Sequence, residues 1–217
     1  MTKFIRQTPC AVLLAVQCLG ILLYPFLEES LQGRQLFALF GLLVLALAVF
    51  TLRVTRAQLW LVALLALPAV GLLIAQVVTG NEDLAPWASG FEAAAYFYAA
   101  AAMLLYMLDD EQVSTDELFA IPLVFTLMAW AFAHVYVVLQ AVDAGTFGSS
   151  TPKGWTELLF LSFTNLSATG LSDFAPVSGH ARSVAMLQQV AGVFYVAMVV
   201  ARLVSIRGRA APRADRQ

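Results

Sequence analysis

The residues able to do chemistry in this chain gather in one stretch, "SFTNLSATGLSDFAP", Ser162 to Pro176. It sets hydroxyls, an amide, a glycine and a carboxylate between two hydrophobic runs. Elsewhere the polar candidates are scattered: Glu92, His134, and the adjacent pair Gln188 and Gln189. The sequence has no phosphate-binding glycine loop, metal-ligand cluster, nucleophile with its base, or basic nucleic-acid patch. Neither enzymatic catalysis nor a nucleic-acid partner is expected.

The surroundings of that stretch are a bilayer. Of 217 residues, 61% are hydrophobic and 12% charged, with mean hydropathy +0.82, too apolar for a water-compatible surface. Charge-free apolar runs at about 9–27, 35–52, 58–78, 87–108, 118–140 and 180–204 each approach the roughly 20 residues that span ~30 Å of hydrocarbon. Six spanning helices are expected, with short connections that leave no stretch for a separate soluble domain. The first run follows Lys3 and Arg6, but no small-x-small cleavage pattern precedes Glu28 and Glu29, so it reads as a helix rather than a signal peptide. Cys10 and Cys18 lie inside it, without a His or acidic cluster, and read as apolar packing.

Orientation follows Lys and Arg. Lys3 and Arg6, then Arg53 and Arg56, then Arg207, Arg209, Arg213 and Arg216 fall on one side; Arg34, Lys153 and Arg182 are spread over a longer length on the other. A multi-pass cell-membrane protein with both termini cytoplasmic is expected. The acidic linker "DDEQVSTDE", 109–117, divides a four-helix half from a helix, half-helix, helix unit. The tail "RGRAAPRADRQ" reads as a topology anchor beside anionic lipid.

The segment Ala141 to Gly179 then lies outside and is too long for a turn. After "DAGTFGSS", Ser150 or Thr151 reads as an N-cap and Pro152 as the first helical position. A helix from Pro152 to Leu166, at ~1.5 Å per residue, reaches about 20 Å: it enters a membrane without crossing it. The following "SATGLSD" is tolerated at that depth where its backbone is buried in protein or lines a watery cavity. A re-entrant pore loop meets the demand, and an amphipathic loop resting on the outer surface is the other reading.

Over about 117–206 the chain resembles the pore module of potassium channels, whose signature runs roughly S-F-x-T-L-T-T-V-G-Y-G-D-x-x-P. Ser162, Phe163, Leu166, Gly170, Asp173 and Pro176 agree with it, and Ser167 stands for a threonine. "ARSVAML", Gly192 and "YVAMVVARLVS" are similar to the cavity-lining inner helix of bacterial two-helix pores. The first four helices match by count and arrangement. The resemblance implies an all-α membrane protein of six transmembrane helices, with a re-entrant pore helix and filter loop between helices 5 and 6. It also implies a homotetramer around an axis, with carbonyls replacing the hydration shell of a monovalent cation, K+ or Na+. On this reading 1–110 is a four-helix domain of voltage-sensor arrangement, 117–206 the pore domain, and 207–217 a short basic cytoplasmic tail.

The filter positions T-V-G-Y-G become Ala168, Thr169, Gly170, Leu171 and Ser172. Ala168 lacks the hydroxyl of the innermost ion ligand, unless Ser167 or water substitutes. Leu171 lacks the hydroxyl that ties the family's filter to its surrounding helices. Ser172 stands where the second glycine adopts a conformation that costs other residues about 1 kcal/mol. Weak or altered potassium selectivity is expected. The resemblance places the filter at Ser167 through Asp173, with backbone carbonyls of Thr169, Gly170 and Leu171 as ion ligands, hydroxyls from Ser167 and Ser172, and Asp173 shaping the mouth. Gln188, Gln189 and Gly192 are the cavity or gate candidates.

Helix 4, "WASGFEAAAYFYAAAAMLLYML", holds no Arg or Lys, which excludes voltage sensing by moving basic residues. Glu92 reads as an interfacial acid with a partner such as Arg34, or as an ion site; His134 as a packing residue, or as a pH-responsive contact with the pore helix. Gly192 is a bend or a close-packing point. Glu157 suits a helix N-terminus, and His180 and Arg182 line the mouth or are solvated. Two rival readings stand beside a cation channel: a non-conducting homologue that associates with another membrane protein, and an ion-coupled transporter using Glu92.

Overall fold

A computed structural model describes residues 8–27, 30–51, 56–109, 115–149 and 151–210. The chain is all-helical over these residues: α1 (Pro9–Leu27), α2 (Leu31–Thr51), α3 (Arg56–Thr79), a 3-10 turn (Glu82–Leu84), α4 (Ala85–Asp109), α5 (Thr115–Val142), α6 (Trp155–Leu166) and α7 (Gly179–Ala210). Four helical stretches are long and apolar enough to cross a membrane: Pro9–Leu27, Glu82–Leu108, Thr115–Val142 and Gly179–Ser205. In α2 and α3 the apolar stretches are shorter, Leu39–Ala48 and Leu64–Thr79. The basic residues Lys3, Arg6, Arg53, Arg213 and Arg216, most of the acidic linker, and Ser150 lie outside the described residues. So do the side chains of Arg34, Arg56, Arg207 and Arg209.

Helix α5 is the hub, packing against α1, α4, α6 and α7. Its Trp130, fully buried, meets Tyr96 of α4, Phe40 of α2 and Trp155 of α6. Polar ties cross the same seams. Tyr96 donates to the Gly41 carbonyl at 2.7 Å, Thr126 donates to Gln17 Oε1 at 2.6 Å, and Tyr195 donates to the Ile121 carbonyl. Asp116 and Glu117 occupy the first turn of α5, where negative charge suits the helix dipole. Asp116 also accepts the Cys10 amide at 3.0 Å, and Glu117 pairs with Arg202 of α7 at 3.3 Å. Cys10 is buried, Cys18 exposed, and both are free thiols.

Helix α6 starts at Trp155 rather than Pro152. The Gly154 amide donates to Glu157 Oε2 at 2.7 Å, half of a capping box that fixes Gly154 as the N-cap. One residue earlier the Gln140 amide clamps the Lys153 backbone from both sides, at 2.9 and 3.1 Å, holding it out of the helix. Twelve residues remain, about 18 Å at ~1.5 Å per residue, still less than a bilayer. Helix α7 runs to Ala210, past the end of the expected apolar run at 204.

Candidate ion path: the pore helix and the loop after it

The carboxyl end of α6 determines the loop. Ser167 is the C-cap. The Ala168 amide donates to the Asn165 carbonyl at 3.1 Å and the Thr169 amide to the Thr164 carbonyl at 3.0 Å. This paired closure with a left-handed residue between is a Schellman motif. Ala168 is that residue, at φ 57°, the one non-glycine with positive φ among the described residues. Gly170 follows at φ 67°, its amide donating to Thr164 at 3.3 Å. Ser172, where the sequence predicts the strain, does not have a positive φ. The left-handed positions are 168 and 170 instead of 170 and 172, because closing the helix uses the first one immediately.

Ser167 through Leu171 are exposed, as is Asp173. The Ser167 hydroxyl donates to the Phe163 carbonyl at 2.8 Å and lies 3.0 Å from Thr169 Oγ1, so both hydroxyls serve the helix end. Ser172 Oγ is buried without a hydrogen-bond partner. Beyond the loop, Phe174 packs edge-on against Phe147 at 5.3 Å with Lys153 Nζ 4.8 Å above its ring. The Val177 amide donates to Thr146 at 2.8 Å. These contacts fasten the outer flank of the loop. His180 and Arg182 are exposed, and Arg182 Nε donates to the Pro176 carbonyl at 3.2 Å.

Ala168 and Gly170 share an open concavity of about 450 Å³ with Gln189, Val190, Val193 and Phe194 of α7. The negative end of the α6 dipole faces it, favouring a cation there. Of the two cavity or gate candidates Gln188 and Gln189, Gln189 lines the concavity and Gln188 is fully buried: successive helical positions turn by about 100°, and position 188 points at α5 and α6. Gly192 is buried, and a Cβ there would collide with the Leu166 carbonyl, so its missing side chain permits close packing of α7 on the end of α6.

Glu92 likewise lies inside the helix packing. It is 7% exposed and its Oε2 lies 3.2 Å from His134 Nδ1. The His134 ring stacks on Tyr96 at 5.5 Å and meets Trp155, the first residue of α6, at 4.3 Å. Sequence reasoning weighed these two residues separately; no spacing pattern links an acid on α4 to a histidine on α5. Among the described residues no group of three or more His, Cys, Asp or Glu could hold a metal ion.

A twelve-residue helix, a polar loop at its carboxyl end and two flanking helices long and apolar enough to cross a membrane are the arrangement expected of a pore-loop membrane protein. Residues 123–207 match the ion channel family model, so this part of the chain is similar to an ion channel pore segment. The match takes in most of α5, all of α6 and its loop, and α7 to within a few residues of its end. No curated protein and no solved structure gives a match.

Proposed function

We propose that four copies of this chain surround a cation path through the membrane, with altered or weak selectivity for potassium over sodium and no voltage sensing. The observation that carries the reading is the exposed turn 167–171 beside the α7 concavity, within the segment matched as an ion channel. An isolated protomer leaves the residues of this turn and an apolar α7 face, Met186, Leu187, Val190, Val193 and Phe194, exposed. Other copies around an axis would cover the apolar face and leave the turn to ions and water. The six-span count and cytoplasmic termini belong to the same proposal.

Carbonyls of Thr169, Gly170 and Leu171 are the ligands proposed for K+ or Na+, with Gln189 in the vestibule below. Reduced selectivity follows from the absent hydroxyl at Ala168, the absent tyrosine tie at Leu171 and the shifted left-handed positions. Voltage sensing is set aside because α4 has no basic residue. The transporter reading is weaker: Glu92 is sealed against His134 and does not line the concavity.

Purified protein in liposomes, with paired potassium and sodium gradients, is the test. Flux of both ions is expected, and the combined Ala168→Thr, Leu171→Tyr, Ser172→Gly variant should move the reversal potential toward potassium. Intact tetramers that pass neither ion would establish the non-conducting homologue instead.

A further inference from the structure

Among the buried polar side chains of α6, Ser162 and Asn165 are three positions apart and so on one face. Both reach across to other helices. Gln188 of α7 donates from Nε2 to the Ser162 carbonyl at 2.9 Å and to Ser162 Oγ at 2.6 Å. Ser162 Oγ in turn donates to the Ala129 carbonyl of α5 at 2.6 Å. Tyr136 of α5 donates to Gln188 Oε1 at 2.6 Å and accepts from Asn165 Nδ2 at 3.1 Å. Ser162, Tyr136 and Gln188 are fully buried and Asn165 nearly so.

Apolar packing around this cluster, from Leu158, Leu161, Phe132 and Leu166, is non-directional and specifies a helix register less sharply than hydrogen bonds do. A buried polar network with its partners in place fixes one register, since any displacement strands groups that have no water to bond. The register of α6 then passes directly into the loop: the Thr164 carbonyl, one residue before Asn165, accepts the Thr169 and Gly170 amides.

We propose that Gln188, with Tyr136, is a positioning residue for ion selection, holding α6 in the one register that places residues 167–171 beside the ion path. It takes the part that Leu171, exposed and without a polar group, leaves vacant. Because Gln188 adjoins Gln189 at the concavity, rotation of α7 pulls the bracket and is felt at the loop. The proposal rests on the conduction reading, and one of its two tests does not.

That test is hydrogen exchange at the Thr169 and Gly170 amides. Gln188→Leu should accelerate it about tenfold, the change that follows from losing about 1.4 kcal/mol, and Tyr136→Phe, which deletes a single hydroxyl, by a few-fold. Exchange in α1 should be unchanged. In liposomes both variants should shift the potassium to sodium reversal potential. If exchange rises but the wild type carries no current, the bracket stands and the conduction reading falls. If folded variants exchange at the wild-type rate, the bracket is overturned, whatever happens to the current. Should Gln188→Leu fail to fold, Tyr136→Phe decides alone.

Discussion

The α6 helix and the loop that leaves it are consecutive in the chain and opposite in circumstance. From Leu158 to Leu166 most side chains are buried and every polar one among Ser162, Thr164 and Asn165 has a partner within this chain. From Ser167 to Leu171 each residue is exposed, Leu171 at 71%. The helix has its polar groups paired within one copy, whereas the loop stays open to its surroundings. The difference separates what the fold must hold from what the function must reach.

The largest effect expected is at the junction of the two regions. Gly192→Val places side-chain atoms in the Leu166 carbonyl, which can be relieved only by moving α7 off α6, at a cost of about 3 kcal/mol or more per copy. Thermal unfolding in detergent should show a large drop; an unchanged midpoint would mean that α7 and α6 are not packed as described. Gly170→Ala comes next. At φ 67° a Cβ costs about 1 to 2 kcal/mol, with nothing nearby for it to strike, so flux should fall while assembly persists. Unaltered flux would remove Gly170 from the ion path. The smallest effect has the opposite sign: Ala168→Gly relieves a left-handed alanine and should stabilise the protein by up to about 1 kcal/mol. A loss of stability there would show that the cap at Ala168 is not left-handed.

The same contrast explains what could be read from the sequence. Runs of about 20 apolar residues announce themselves, and helix boundaries fell within a few residues of the expected ones. The short helix was visible from Trp155 onward, but its start was set by Gln140, a residue on another helix that removed Lys153 from helical geometry. Gln188 and Gln189 are the same residue type side by side; which one faced the cavity depended on the rotation of α7 against α5. The pairing of Glu92 with His134 was hidden for a similar reason, since it exists only when α4 and α5 are packed. At the loop, the substitutions pointed to a changed backbone, while the place of the strain, Ala168 rather than Ser172, depended on how α6 closed its last carbonyls.

The central claim is that residues 167–171 face a cation path shared between copies. The most direct measurement is the structure of the membrane-reconstituted protein determined once in potassium and once in sodium. Density on a fourfold axis beside the Thr169, Gly170 and Leu171 carbonyls, differing between the two salts, is the result predicted. A chain without a symmetry axis at this loop, or an axis bearing no ion in either salt, would contradict it.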